Sequence, residues 1–245
     1  MITLVDLSAE FWKNYFGSRS AVTAYELTLD RVEWYHRDGK RTIICCDSPK
    51  SKRREWFDGY KSNRPPKPED AIDSLVGVQT RVAAWGCPIV SSEGFEADDL
   101  IAALAKQAWP EEVRIIGSEK DLYVLISDTV HLIGKNGPVH ANDCYAKFGC
   151  LPNQMTDWLA LVGDAADCIP GCPSCGPGRA ASLLERFETI AGIQAASDDD
   201  ILSVPGVGKK TLACLREWDP TLALRLVRLL DDAPVKLSEL LPEGM

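Results

Sequence analysis

The chain has 245 residues, of which 45% are hydrophobic, and a formal net charge of −9. This length and composition allow one large or two modest domains with real cores, and the acidic balance argues against a uniformly basic nucleic-acid binder. The N-terminus has no basic stretch before its short apolar run, and no segment approaches the roughly 18 apolar residues of a membrane span, so we expect a cytoplasmic protein with no membrane partner. Nine cysteines without an export signal favour reduced thiols.

Strand and helix patterns alternate along the first half of the chain. Strands are predicted at residues 2–6, 41–47, 87–90 and 112–117, and helices at residues 21–37, 69–85 and 96–108. A turn is expected at Asp38-Gly39, and a hairpin at residues 129–140 turns at Asn136-Gly137. The alternation predicts an α/β fold with a mainly parallel sheet and helices on both faces.

Carboxylates gather where these predicted strands end or helices begin. They are Asp6, Asp47, the group Glu96, Asp98 and Asp99, and the pair Glu119 and Asp121 in the predicted turn 118–121. Acids at a helix start are also favoured by the helix dipole alone, and we keep that simpler interpretation for Asp99. Because no histidine joins the set, its oxygen ligands suit Mg²⁺ or Mn²⁺, and so many charges imply two ions. Two such ions hydrolyse phosphodiesters.

A basic segment follows the second predicted strand. Residues 50–67 contain seven basic and two acidic side chains, a local charge of +5. Trp56, Phe57 and Tyr60 lie among the basic residues, and this mixture of positive charge and aromatic rings is typical of contacts to DNA or RNA.

The strand signal disappears after residue 141, and we place a domain boundary near Gly149. The prediction is an α/β domain at residues 1–148, with the basic segment at 48–68, and a helical domain at residues 149–245. A helix at 157–162 leads to Asp164 and Asp167. The glycine-rich turn at 172–181 precedes a helix whose free N–H groups suit a phosphate, and residues 204–211 repeat it weakly.

Three cysteines in this region suggest a rival interpretation. Cys168, Cys172 and Cys175 have the spacing of a radical-SAM iron–sulfur site. Their surroundings are a Pro-Gly turn between short helices, not the loop after the first strand of a barrel. Structural thiols are therefore preferred, with an iron–sulfur or zinc role as the alternative.

The motifs together resemble the 5′-nuclease family, which comprises flap endonucleases, phage 5′-exonucleases and the N-terminal nuclease domain of bacterial DNA polymerase I. The resemblance runs through Leu4-Val5-Asp6, Cys46-Asp47, the segment 60–66, Glu96-Ala97-Asp98-Asp99, Glu119-Lys120-Asp121, Leu161-Val162-Gly163-Asp164 with Asp167, Ile169-Pro170-Gly171 and Gly176-Pro177. It implies a PIN-like α/β core, a helix-hairpin-helix domain and a Mg²⁺-dependent (or Mn²⁺-dependent) 5′-3′ exonuclease or 5′-flap endonuclease of a bacterial or phage-infected cell. The implied partners are DNA and a replicative or repair polymerase.

The resemblance also implies roles for individual residues. The first ion is assigned to Asp6, Asp47, Glu96 and Asp98, and the second to Glu119, Asp121, Asp164 and Asp167. Tyr60 is expected to stack on a base, and Lys61 and Arg64 to contact the scissile phosphate. DNA contacts are assigned to Lys52, Arg53, Arg54, Gly176, Gly178 and Arg179, and a K⁺ ion to carbonyl groups of Cys172 and Ser174.

Three positions depart from the family's usual residues. Glu119 stands where Asp is usual, Cys168 where Asn is usual and Gly178 where Lys is usual, so Arg179 is expected to take over a phosphate contact. Two alternatives follow. One is a PIN-like ribonuclease, although the glycine hairpins favour DNA; the other is a structure-specific DNA-binding protein with weakened catalysis.

Overall fold

The computed structural model of the chain describes residues 1–37, 41–117 and 119–241. The predicted turn at Asp38-Gly39, Ser118 of the predicted acidic turn, and residues 242–245 of the predicted helical domain lie outside the described residues. The chain forms two compact units. Unit 1 comprises Met1–Lys52, Pro65–Val139 and Leu229–Met245, and unit 2 comprises Arg53–Arg64 and His140–Arg228.

Unit 1 is built on a six-stranded sheet with the order β3-β2-β1-β4-β5-β6. The strands are β1 (Ile2–Asp6), β2 (Arg41–Cys45), β3 (Ile89–Val90), β4 (Val113–Ile116), β5 (Val130–Gly134) and β6 (Gly137–Val139). All neighbouring pairs are parallel except β5 and β6, which form the predicted hairpin, although its turn lies at Lys135-Asn136, one residue earlier than predicted. The prediction of a mainly parallel α/β sheet is confirmed.

Helices cover both faces of this sheet. They are α1 (Leu7–Ser18), α2 (Ala21–Arg37), α4 (Glu69–Ala84), α5 (Ala97–Ala108) and α13 (Leu237–Leu240), and a 3-10 helix spans Asp121–Leu125. One core contains residues of α1, α2 and α4, and the other contains α5 and the C-terminal residues. Helix α1 was not predicted: it begins directly after β1, since Asp6 both ends the strand and caps the helix.

The central strands alternate their side chains between the two cores. Leu4 of β1 packs in the core of α5, whereas its neighbour Val5 packs in the core of α1, α2 and α4. Ile115 and Ile116 of β4 divide in the same way. Because both faces are buried, these strands appear in the sequence as continuous apolar runs.

Unit 2 is helical. It contains α6 (Ala141–Phe148), α7 (Met155–Val162), α8 (Pro177–Phe187), α9 (Ile190–Ala195), α10 (Asp198–Leu202), α11 (Lys209–Glu217), α12 (Thr221–Val227) and a 3-10 helix at Pro152–Gln154. The short helix α3 (Lys52–Trp56) lies at the start of its first segment. Among the described residues, none of the helices is both long enough and apolar enough to cross a membrane.

The compact units are not two consecutive halves of the chain. Residues 229–241 return to unit 1 because Leu229, Ala233 and Val235 pack in the core beside α5. Residues 53–64, from the basic segment, belong to unit 2. A single division at Gly149 does not describe this exchange of segments.

Candidate functional site

Asp6 is a buried carboxylate at the carboxyl end of the central strand. Its side chain is 4% exposed, and Oδ1 accepts a hydrogen bond of 2.8 Å from the backbone N–H of Ala9, which caps α1. Burial raises the pKa of Asp6 well above its usual range, and the negative charges of Asp47, Glu119 and Asp121 raise it further. Asp6 therefore lies close to other carboxylates, and a bound cation would reduce the electrostatic repulsion between them.

The other acids of this edge are held by backbone groups. Asp47 follows β2, and its Oδ1 accepts a bond of 3.0 Å from the N–H of Ala97 at the start of α5. Glu96 and Asp98 are 7% and 8% exposed, although both are charged residues. Four acids predicted for the first ion thus belong to strand ends and a helix start of one unit.

Asp99 has a structural role, as predicted. It is fully buried, and its Oδ2 accepts a bond of 3.0 Å from the N–H of Glu96, an interaction that caps α5. Its Oδ1 accepts a bond of 2.8 Å from the N–H of Leu230, which joins the C-terminal segment to α5. Both carboxylate oxygens are engaged by backbone donors.

The donor set of unit 1 fits hard divalent cations. The carboxylates supply only oxygen ligands, and the charges of Asp47, Glu119 and Asp121 act on Asp6, whose pKa is raised first by burial and then by these neighbours. Within the described residues, no group of three or more His, Cys, Asp or Glu side chains is arranged so that it could hold one metal ion. Binding therefore requires these side chains to turn toward the ion.

The two basic residues predicted for catalysis contact an acid predicted for the second ion. Within unit 2, Arg64 Nη2 lies 2.5 Å from Asp167 Oδ1, and Lys61 Nζ lies 3.9 Å from Asp167 Oδ2. Asp164 lies on the same loop and accepts a bond of 3.0 Å from the N–H of Ala166 through Oδ1. In this structure the positive charge near Asp167 comes from side chains of the basic segment.

Tyr60 is placed differently from its predicted role. Its side chain is only 3% exposed, and Lys61 Nζ lies 4.8 Å from the centre of its ring. A base stacks on an open ring face, and burial leaves none. Stacking of a DNA base on Tyr60 is therefore not supported in this conformation.

Arg53 is a structural residue, which corrects its prediction as a DNA contact. It is 2% exposed, and its Nε and Nη2 donate bonds of 2.8 Å and 2.9 Å to the backbone oxygens of Leu226 and Arg228. These oxygens lie at the end of α12, where helix carbonyl groups lack partners within the helix. The neighbouring Arg54 is exposed, and Lys52 Nζ lies 3.7 Å from the ring centre of Phe95.

The two glycine turns of unit 2 precede helices, as predicted. Gly176 caps α8 and Gly208 caps α11, in both cases without a side-chain cap. A Cβ atom at Gly176 or Gly178 would meet no atom within 4 Å, so the backbone at the start of α8 is open to a ligand. This geometry suits a phosphate.

Arg179 joins these two turns and changes two predictions. Its Nε donates a bond of 2.6 Å to the backbone oxygen of Gly206, and its Nη1 donates one of 3.0 Å to that of Ser174. Ser174 O, predicted as a K⁺ ligand, thus already accepts from a guanidinium. Two donor atoms of Arg179 are also committed within the protein, which leaves fewer for a phosphate.

All nine cysteines are free thiols in the structure. Burial raises the pKa of Cys172 to about 12 and that of Cys175 to about 11, so both are protonated at neutral pH. Both thiols are thus buried, protonated groups in this structure, and the iron–sulfur or zinc alternative stays a prediction from the spacing of the cysteines.

Two family models match consecutive parts of the chain, one for a resolvase-like N-terminal domain and one for a C-terminal SAM fold. Residues 1–149 match the family described as 5′-3′ exonuclease, N-terminal resolvase-like domain, and residues 150–240 match 5′-3′ exonuclease, C-terminal SAM fold. The chain belongs to the 5′-3′ exonuclease family, a family of nucleases, which confirms the resemblance seen in the sequence.

Individual relatives agree with this assignment. The chain is 29% identical to the 5′-3′ exonuclease of Buchnera aphidicola, over 97% of this chain and 88% of that protein. It is 34% identical to DNA polymerase I of Deinococcus radiodurans, over 86% of this chain but only 23% of the polymerase. The chain thus spans about a quarter of that relative.

Solved structures share the fold at lower identity. The phage T5 5′-exonuclease with bound zinc has a TM-score of 0.76 at 22% identity, covering 94% of this chain and 89% of that one. A T5 flap endonuclease complex with DNA and metal ions has a TM-score of 0.74 at 21% identity, covering 94% and 88%. At this identity the similarity establishes the fold alone.

Proposed function

We propose that the chain is a Mg²⁺-dependent or Mn²⁺-dependent nuclease that hydrolyses DNA from 5′ ends, as a 5′-3′ exonuclease and a structure-specific 5′-flap endonuclease. The observation that carries this proposal is the buried Asp6, whose pKa is raised by burial and by the charges of Asp47, Glu119 and Asp121. A cluster of this kind at the carboxyl edge of a parallel sheet favours cation binding. Membership of the 5′-3′ exonuclease family supports it.

Two divalent ions held by these carboxylates would supply an activated water and would stabilise charge on the phosphate oxygens. Asp6, Asp47, Glu96 and Asp98 would hold the first ion. Glu119 and Asp121 are proposed for the second, and the roles of Asp164 and Asp167 there stay predictions from the sequence.

Lys61 and Arg64 are proposed to bind the scissile phosphate. In the structure both side chains contact the carboxylate of Asp167. When DNA binds, a phosphate oxygen would take the place of this carboxylate beside Lys61 and Arg64. Their positive charge would then offset the charge that develops on the phosphate during hydrolysis.

DNA binding is assigned to the exposed basic side chain of Arg54, to Lys52, and to the open backbone at Gly176 and Gly178. Residues 149–245 would act chiefly as the DNA-binding module and residues 1–148 as the nuclease core. The DNA polymerase I relatives support a role beside a polymerase in the bacterial cytoplasm.

The test compares 5′-flap DNA, nicked duplex and single-stranded RNA, each with Mg²⁺ or Mn²⁺ and with EDTA. We expect metal-dependent release of 5′ fragments from the DNA substrates, and a loss on the order of 100-fold or more in Asp98→Ala. Asp73→Ala is the matched control, because Asp73 is an exposed acid on α4.

The outcomes separate the alternatives. Intact DNA with cleaved RNA would indicate the PIN-like ribonuclease, and tight flap binding without cleavage would indicate a DNA-binding protein with weakened catalysis. Equal activity of Asp98→Ala and Asp73→Ala would refute the metal assignment.

A further inference from the structure

The turn that carries Lys61 and Arg64 is bonded to the loop that carries Asp167. The backbone N–H of Lys61 donates a bond of 2.9 Å to the backbone oxygen of Asp167. Asn63 Nδ2 donates one of 3.0 Å to the backbone oxygen of Ala165. With the Arg64–Asp167 ion pair, three different kinds of contact join two segments about 100 residues apart, all within unit 2.

The loop is a tight hairpin. Asp164 and Ile169 exchange two backbone hydrogen bonds, of 2.9 Å and 2.8 Å. At the base of the hairpin, a Cβ atom on Gly163 would lie 2.5 Å from the backbone N of Gly171. The two strands of the hairpin are therefore so close there that only glycine fits at position 163. Such a hairpin can act as a fixed support for the turn that rests on it.

The turn needs such support because Lys61 has an unfavourable backbone conformation. Its φ angle is 53°, in the left-handed region that residues other than glycine adopt at a cost. Within the turn, Ser62 N–H donates to Gly59 O at 3.1 Å and Arg64 N–H to Lys61 O at 3.3 Å. The hairpin restrains Lys61 further, because the backbone N–H of Lys61 donates to the backbone oxygen of Asp167.

We propose that Asn63 is a positioning residue for the nuclease reaction: its side-chain amide fixes the Lys61–Arg64 turn on the hairpin through the carbonyl of Ala165. This inference rests on the proposed function. Lys61 and Arg64 must exchange Asp167 for the scissile phosphate, and an ion pair is lost in that exchange. The bond of Asn63 joins two neutral groups and persists, so the turn keeps its place while the cations change partners.

The experiment uses the full chain and the variants Asn63→Ala and Asn63→Asp, the second of which keeps the shape but lacks the Nδ2 donor. The matched control is Asn142→Ala, since Asn142 is an exposed asparagine on α6 of the same unit, away from the turn and the hairpin. Single-turnover cleavage of a 5′-flap duplex and affinity for the same duplex in EDTA are measured. Amide exchange at Lys61 is followed by NMR without DNA.

Both Asn63 variants are expected to cleave about tenfold or more slowly, because misplaced reacting groups lose that much. Affinity should change less than about twofold in Asn63→Ala, whereas the added negative charge of Asn63→Asp also weakens DNA binding. Exchange at the Lys61 amide should accelerate about fivefold, from the net contribution of one neutral hydrogen bond. Asn142→Ala should match the wild type in all three measurements.

Cleavage by Asn63→Ala and Asn63→Asp within twofold of wild type would overturn the proposal, as would equal losses of rate and affinity in Asn63→Ala. Unchanged Lys61 exchange would show that Asn63 does not hold the turn. If the wild type itself cleaves none of the DNA substrates, the proposed function fails and the role of Asn63 in it fails too, whereas the exchange data still decide whether Asn63 fixes the turn.

Discussion

The substitution Arg53→Ala tests the structural role of a basic residue that the sequence assigned to DNA. It removes two hydrogen bonds from a charged donor to the carbonyl groups of Leu226 and Arg228. Such bonds contribute about 1.5–3 kcal/mol each, or about 3–6 kcal/mol together. The variant no longer has to bury a charged guanidinium, and this gain offsets part of the lost hydrogen-bond energy. We therefore expect the free energy of unfolding to fall by about 3 kcal/mol.

For a chain of this length a loss of that size lowers Tm by about 6–12 °C. Thermal unfolding by circular dichroism measures it, and Arg54→Ala is the control. Because Arg54 is exposed, its substitution should change stability by no more than about 0.5 kcal/mol.

Salt titrations of duplex binding complete the comparison. A lost phosphate contact reduces the slope of log K against log salt concentration by about 0.9, and this reduction is expected for Arg54→Ala but not for Arg53→Ala. If Arg53→Ala leaves Tm unchanged and reduces the slope, the argument from its burial is refuted.

Three further predictions concern separate sites. The pKa of Asp6 is raised above its unfolded value of about 3.9, so the stability that Asp6 contributes is complete below about pH 4 and is lost as pH rises through the folded pKa. In EDTA, the Tm of Asp6→Asn should therefore rise relative to that of the wild type as pH increases. Addition of Mg²⁺ should reduce this difference in Tm. Asp99→Ala should lose about 2–4 kcal/mol in urea unfolding, because two backbone donors lose their acceptor. Wild-type affinity for duplex DNA should be equal in K⁺ and Na⁺, because a guanidinium already engages Ser174 O.

Each of these has a result that contradicts it. A Tm difference between wild type and Asp6→Asn that stays constant from pH 4 to pH 8 would mean that Asp6 does not titrate as described. Asp99→Ala as stable as wild type would show that water replaces the carboxylate. Tighter binding in K⁺ than in Na⁺ would restore the cation site at the glycine turn.

The sequence predicted the sheet well because its strands are buried on both faces. Leu4, Ile43 and Ile115 lie in continuous apolar runs, and each run is followed by turn residues or acids. Helix α1 was missed because no loop separates it from β1, so no turn signal marks its start. The early acids could be found because parallel strands bring their ends to one edge.

The basic segment shows where sequence reasoning stops. Arg53 and Arg54 are adjacent and chemically identical, yet one is buried against the end of α12 and the other is exposed. That difference depends on contacts 173 and 175 residues away in the chain. Asn63 likewise has no predicted role within the segment 60–66, because its partner, the backbone oxygen of Ala165, has no signature in a sequence.

The return of residues 229–241 to unit 1 determines the order in which this protein can fold during synthesis. The core beside α5 includes Leu229, Ala233 and Val235, and the buried Asp99 accepts a bond from Leu230. A nascent chain that has emerged only as far as α12 therefore has all six strands but an open core on one face and a carboxylate with a missing donor. Along the sequence, unit 2 ends at Arg228 and the last segment of unit 1 begins at Leu229. All of unit 2 is therefore synthesised before unit 1 is complete, so unit 2 can fold first, although its sequence begins later.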